Sequence, residues 1–192
     1  MKAHTLSAAA YHSASSPLEL AKAYRFCQQT TRRHAKSFYL SAQFLPRAKR
    51  QAIYAIYALC RHVDDAVDQA GTQSADDARA AVERWSRELD KVYRGGQQKE
   101  MPADPVLIAW GDMLGRYAIR QELPLELMRG VLMDTHINRY ETWDDLSLYC
   151  YRVASVVGLM SSEVFGYQEP QTLKYAEALG LAMQLTNIYV TR

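Results

Sequence analysis

A succession of helix-opening signals punctuates this sequence, and no interval between them carries the period-two alternation of a strand bounded by hairpin turns. Ser16-Pro17-Leu18-Glu19 offers an N-cap serine, proline at the first helical position and glutamate three residues after the cap, which predicts a helix to about Lys36. Ser37 to Leu45 reads as a short connection with room for its own helical turn, and Pro46 opens a long helix that closes near Gly71. Ser74-Ala75-Asp76-Asp77 starts another, stopped by Gly95-Gly96. Asp104-Pro105, Leu123-Pro124 and Thr142-Trp143-Asp144-Asp145 open three more, the last ending near Gly166, and a final helix runs from about Pro170 to the terminus. The expectation is a single all-α domain over residues 17–192, of about seven helices with short connections, preceded by a disordered segment over 1–16.

Composition narrows the partners. A net charge of +2 on 192 residues, 48% of them hydrophobic, is ordinary for a globular protein with a substantial core. No basic tract has the density of a nucleic-acid patch. The short clusters Arg32, Arg33, Lys36 and Arg47, Lys49, Arg50 suit solvated helix faces, and leave contact with an anionic membrane surface or a diphosphate open. Cys27, Cys60 and Cys150 are far apart, odd in number and set in apolar helical contexts, so buried thiols in a reducing compartment are expected. The first sixteen residues lack the apolar run of a secretory signal, and nowhere do about eighteen apolar residues follow one another as a membrane-spanning helix needs. A cytoplasmic protein is expected, with peripheral contact at the inner face of a membrane left open.

Chemistry concentrates between Tyr57 and Asp68. At about 100° per residue, Tyr57, Arg61, Asp64 and Asp68 fall on one stripe of a helix, beside an apolar stripe of Ile56, Cys60, Val63 and Val67. Carboxylates at such an edge repel one another unless a cation sits between them, and hard oxygen ligands suit Mg²⁺, which binds through one or two carboxylates plus substrate phosphates. Spacing alone also fits, and more simply, a helix that ends in solvated acids. Tyr151, Ser155, Gly158 and Ser162 share a second face at i, i+4, i+7 and i+11, where small residues admit a neighbouring helix or a long ligand; close helix packing is the simpler reading. Gln184 and Asn187 lie three apart in an otherwise apolar run, so buried amides in need of hydrogen-bond partners are expected there.

Four ordered blocks then resemble a known family. They are His34-Ala35-Lys36-Ser37-Phe38, Ala55 through Asp68, Tyr149-Cys150-Tyr151-Arg152-Val153-Ala154-Ser155-Val156-Val157-Gly158, and Leu179-Gly180-Leu181-Ala182-Met183-Gln184-Leu185-Thr186-Asn187-Ile188. In identity, order and separation they are similar to the squalene and phytoene synthases, which join two prenyl diphosphates head to head. The resemblance implies an isoprenoid-synthase-like helical bundle around a central apolar cavity, with two aspartate-rich helices facing across its mouth to hold Mg²⁺, or Mn²⁺ in its place, against the diphosphates. Carried over position by position, Asp64 and Asp68 are metal ligands and Asp65 a supporting acid. Arg61 contacts a diphosphate, its planar fork suiting phosphate oxygens. Ser37 and Tyr57 line the diphosphate end, and Gln184 and Asn187 lead into the second metal motif. Tyr151 lies by the reacting carbons, where an aromatic face stabilises a carbocation. Phe38, Val153, Val157 and Leu181 are core or cavity residues, with core the simpler role.

The implied reaction ionises one prenyl diphosphate to an allylic cation, which the double bond of a second molecule attacks to give a cyclopropylcarbinyl diphosphate. A second ionisation and rearrangement joins the chains, and a dry cavity keeps water from either cation. Proton loss then gives phytoene from two C20 geranylgeranyl diphosphates; reduction by NADPH belongs only to a squalene-type enzyme using C15 farnesyl diphosphate, which is the alternative, as is a hydroxysqualene-type enzyme. A third reading, from another class, is a non-catalytic helical protein that binds a partner or lipid. The family pattern places an arginine three residues after Asn187 and then further acids, whereas this sequence reads Asn187-Ile188-Tyr189-Val190-Thr191-Arg192. Ala35 and Ser155 also stand where serine and glycine are common. A domain incomplete at its C-terminus, with little or no condensing activity by itself, is the resulting expectation.

Overall fold

The computed structural model describes residues 16–71, 74–95, 103–135, 137 and 139–190. Among them there is no strand, so the all-α expectation holds. The elements are α1 (Pro17–His34), α2 (Lys36–Ala42), α3 (Arg47–Gly71), α4 (Ala75–Tyr93), α5 (Pro105–Leu114), α6 (Glu122–Asp134), α7 (Trp143–Cys150), a π-helical segment (Tyr151–Ser155), α8 (Val156–Phe165) and α9 (Gln171–Val190). The disordered segment expected over 1–16 lies outside the described residues except for Ser16, which is the N-cap of α1. Gly96, half of the expected stop after α4, also lies outside them.

The starts read from sequence are built from real caps. Ser16 Oγ accepts the Glu19 amide while the Glu19 carboxylate accepts the Ser16 amide, a reciprocal pair that satisfies two orphan donors. Ser74 Oγ accepts from the Asp77 amide, Asp104 Oδ1 from the Val106 amide and Thr142 Oγ1 from the Asp145 amide. Two boundaries differ from expectation. α1 stops at His34 because Ala35 leaves the helical region (φ −140°, ψ 71°) while its amide still bonds Thr31 O. The helix expected to run unbroken from Thr142 to Gly166 is interrupted by the π segment, in which one turn holds an extra residue.

The chain forms two compact units: Met1–His62 with Arg87–Ala118, and Val63–Ser86 with Ile119–Arg192. In the first, α1 buries Ala23, Tyr24, Cys27 and Thr31 along one face, and α5 buries Val106, Leu107, Ala109, Trp110 and Met113. The two helices are packed together. α3 is buried nearly all round between Ala52 and Ile56, as a helix must be when neighbours cover every side. Burial pushes the Cys27 thiol up to about 12, the state of an inert structural cysteine. Cys150 is buried as expected, whereas Cys60 is only half-buried.

The first unit also buries a carboxylate. Asp112, 5% exposed, accepts from the Tyr24 hydroxyl at 2.6 Å and from Arg116 at 2.5 Å. Arg116 also donates to the Tyr24 oxygen and lies over the Tyr24 ring. Burial, with the Asp112 hydrogen bond, pushes the Tyr24 phenol well above its ordinary value. Tyr24→Phe removes a donor from a buried charge at almost no cost in volume, so it is expected to lower unfolding free energy by about 1–3 kcal/mol. A shift of the urea midpoint at constant slope measures this.

In the second unit, Met133, Tyr149 and Cys150 form a cluster against which Ile137, Tyr140, Leu146, Val153, Leu181, Leu185 and Ile188 pack. Two glycines set the helix approach there. A Cβ on Gly158 would lie 2.9 Å from Ala176 O, and one on Gly180 would lie 2.5 Å from Ser155 Cα. Ser155 is buried and its Oγ donates to Glu177 O at 2.7 Å. At these positions the small-residue face admits a helix, the simpler of the two readings.

Candidate functional site

α3 carries the acidic motif as one uninterrupted helix, giving Tyr57 and Arg61 to the first unit and Asp64, Asp65 and Asp68 to the second. Ile56, Val63 and Val67 are buried, so the apolar stripe is real; Cys60 beside them is half-buried. Asp64 and Asp65 are half-buried and Asp68 is exposed, which places the carboxylates at the border of the buried face, where one turn of helix separates Asp64 from Asp68.

In the first unit, Tyr57 is half-buried and its ring lies 5.6 Å from that of Phe38, inclined by 33°. This contact joins the first two sequence blocks. Ser37, beside Phe38, is exposed, and Arg61 is half-buried. Phe38 is itself partly exposed, so it is not a closed core residue.

The second unit holds the remaining candidates. Tyr151 opens the π segment and is half-buried; burial raises its phenol, helped by the charges of Glu177 and Glu126. It lines an open cavity of about 660 Å³ together with Leu148, Ser155, Ala178 and Leu181, and with the charged side chains of Lys174 and Glu177 toward α9. Val153 and Val157 are half-buried, Val153 against the Met133 cluster, as core residues would be. The buried amides expected on α9 are not found: Gln184 is half-buried and Asn187 exposed. α9 turns much of its apolar surface outward, with Leu179 and Met183 exposed, so an apolar sequence neighbourhood does not bury the amides within it.

Sequence reasoning missed a group beside this site. Asp134, at the end of α6, accepts from the Tyr149 hydroxyl at 3.0 Å, and the Gln184 side chain lies near enough to that phenol to oppose the rise that burial imposes on it. Burial raises the Asp134 carboxyl, the Tyr149 hydrogen bond opposes that, and the charge of Asp68 adds to it. Asp134 therefore lies within electrostatic reach of the α3 acids. Tyr140 stacks on Tyr149 at 5.1 Å, and burial pushes its phenol up to about 12. The only sequence signal was a tyrosine immediately before Cys150 in the third block; its partner Asp134 lies across a turn and has no fixed spacing.

Among the described residues no three His, Cys, Asp or Glu side chains are arranged to hold a metal ion by themselves. Two hard carboxylates one turn apart at a solvent border nevertheless fit Mg²⁺, which keeps several water ligands and takes further oxygens from phosphate. Among the described residues no cysteine or histidine joins the pair, so the donor set is not that of a closed zinc site.

Known proteins resemble the chain over most of its length. The Squalene/phytoene synthase family pattern matches residues 31–189. A phytoene synthase of Arthrospira platensis is 40% identical over 185 residues, covering 90% of this chain and 58% of that protein. The 15-cis-phytoene synthase of Synechococcus elongatus is 41% identical over 181 residues, covering 88% and 56%. The chain thus spans a little over half the length of these relatives. Among solved structures, a dehydrosqualene synthase in complex with ligand superposes with a TM-score of 0.77 at 33% identity, covering 89% of this chain and 57% of that one. The squalene synthase HpnC from Alicyclobacillus acidocaldarius gives 0.75 at 29% identity, covering 93% and 64%. An all-α fold of the isoprenoid-synthase type, with all four sequence blocks inside or overlapping the matched region, identifies the chain as a member of the squalene/phytoene synthase family.

Proposed function

We propose that this chain forms part of a prenyltransferase of carotenoid and isoprenoid biosynthesis that condenses two geranylgeranyl diphosphates head to head to phytoene. The observation that carries the reading is the pair Asp64 and Asp68, one turn apart on α3 at the edge of a buried apolar stripe, in a chain whose family and relatives make such products. Asp64 and Asp68, supported by Asp65, would hold Mg²⁺, or Mn²⁺ in its place; bound there, the ion supplies charge neutralisation to a departing diphosphate. Arg61 would supply a cation and a fork of donors for phosphate oxygens, and Ser37 and Tyr57 would offer hydroxyls to a diphosphate. Gln184, half-buried near the Tyr149 hydroxyl, and Asn187, exposed one turn further along α9, offer amides to the diphosphate or its metal-bound water. Tyr151 offers its ring face to an allylic cation, with the apolar side chains of Leu148, Ala178 and Leu181 lining the same open cavity.

A second reading, a squalene-type enzyme that takes farnesyl diphosphate and reduces its product with NADPH, is favoured by the likeness to the squalene synthase structure. Among the described residues no helix is long and apolar enough to cross a membrane. With prenyl products that partition into lipid, we place the protein in the cytoplasm, in peripheral contact with the inner face of a membrane.

The test uses the chain alone and the chain extended by the portion of the Synechococcus elongatus relative that it does not match. Each is incubated with Mg²⁺ and either geranylgeranyl or farnesyl diphosphate, with and without NADPH, and the hydrocarbons are analysed. Phytoene from the C20 substrate by the extended chain, lost without metal, is the expected result. A C30 product supports the second reading, and no product from either substrate supports the non-catalytic one.

A further inference from the structure

One surface of the first unit combines charge and exposed apolar groups in a way the proposed chemistry does not use. From Leu20 to Val63 the sequence holds nine Lys and Arg residues and no Asp or Glu, so all 21 acids lie elsewhere. At the middle of this stretch α2 ends in a turn that projects Phe44, 92% exposed, with Leu40, 61% exposed, one turn before it. Lys36 precedes Leu40 by four residues on the same face and is exposed, as is Arg47 at the start of α3. Arg32 and Arg33, exposed in the last turn of α1, extend the basic character toward α2.

The projection is braced. The Gln43 side-chain amide donates to the Tyr54 hydroxyl at 2.5 Å, and that hydroxyl donates to Tyr39 O at 3.2 Å. Arg50 donates to Gln43 O at 3.2 Å, and the Tyr39 and Tyr54 rings stack at 5.5 Å. A polar and aromatic scaffold therefore fixes a turn whose tip is a bare phenyl ring. An isolated exposed leucine is unremarkable; a held Phe and Leu on one line, flanked by cations, is the pattern of an interfacial anchor.

We propose that α2 and the turn after it dock the protein on an anionic membrane, with Phe44 and Leu40 entering the interface and Lys36, Arg47, Arg32 and Arg33 meeting lipid headgroups. Complementary charge selects this occupant: a stretch with nine cations and no acid is attracted to anionic lipid, and apolar tips give purchase that a solvated polyanion cannot. The inference rests on the peripheral contact proposed above and is independent of which hydrocarbon is made.

The experiment is co-sedimentation of the 192-residue chain with vesicles of phosphatidylcholine alone or with about one third phosphatidylglycerol. Binding to the anionic vesicles only, weakened by salt, is expected. Phe44→Ser and Leu40→Ser should each lower the partition coefficient by about ten-fold, and Lys36→Glu and Arg47→Glu by about five-fold or more. Trp143→Ser, which removes an exposed aromatic of the other unit, should change nothing. Because Phe44 is almost wholly exposed, its variant should keep the parental circular dichroism and urea midpoint. Undiminished binding by Phe44→Ser and Leu40→Ser would overturn this docking face while leaving peripheral contact intact. Failure to bind either vesicle would overturn both. If those two variants instead dissolve a dimer in sedimentation without altering vesicle partition, the face is a contact between copies and the proposal falls.

Discussion

A Gly180→Ala variant is expected to lose about 3 kcal/mol or more of unfolding free energy, because one methyl group has no place to go. The added Cβ would stand 2.5 Å from Ser155 Cα, 2.7 Å from Ser155 N and 2.9 Å from the Ala154 carbonyl carbon. All three are backbone atoms of the π segment, so no side chain can swing aside. α9 must separate from that segment, which also breaks the Ser155 hydrogen bond to Glu177 O. Gly71→Ala is the control. Its nearest neighbours would be 3.7 and 3.9 Å away, ordinary contact distances, so a change within about 0.5 kcal/mol is expected. Urea denaturation of both variants decides the matter, and equal midpoints would refute the close approach at Gly180.

Asp64→Asn in the extended chain is expected to lower Mg²⁺-dependent diphosphate release by about a thousand-fold, equivalent to about 4 kcal/mol of transition-state stabilisation. The substitution keeps the shape and removes the charge. Asp68→Asn should be similarly damaging, and the double variant little worse than either single one, because two ligands of one ion act as a unit. Stability is the necessary companion measurement. Asn keeps the size and an accepting oxygen at either position, so both variants should unfold within about 1 kcal/mol of the parent. A variant that retains release within ten-fold would remove the acids from the proposed metal site. If release and stability fall together, the loss belongs to folding instead.

Much of the architecture was legible in sequence because its helix starts are local chemistry. Ser16, Ser74, Asp104 and Thr142 cap the helices they were expected to cap, and the bond each makes spans two or three residues. The Asp64/Asp68 border was legible for the same reason: a helical period relates the acids to Val63 and Val67 within one element. Features that depend on a second element were not. The π segment is built from Tyr-Arg-Val-Ala-Ser, residues with no local preference for an extra residue per turn. Gly180 looked like one small residue in an apolar run until its neighbour was known. α9 misled most. Leu179, Leu181, Met183 and Leu185 occur at every second position, so they spread around the helix and mark no single buried face. Leu181 and Leu185 pack inward while Leu179 and Met183 face out, and Gln184 and Asn187 follow that division rather than the overall apolarity. The Asp134–Tyr149–Gln184 connection joins three elements and could be recognised only once they were brought together.

The π segment has a bearing on how this region tolerates change in length. One extra residue is accommodated between α7 and α8, so the residues on its two sides are out of phase with a continuous α-helix. Reversion to ordinary α geometry with every residue kept would turn everything that follows by about 100°. Ser155 and Gly158 would leave the surface that receives Gly180 and Ala176, and the Tyr151 ring and the α9 contact could no longer both keep their places. Deleting one residue there would instead close the wide turn and keep the phase of α8, so the stretch should absorb the loss of one residue better than the gain of one. The spacing from Tyr151 to Gly158 is itself part of the information the chain carries.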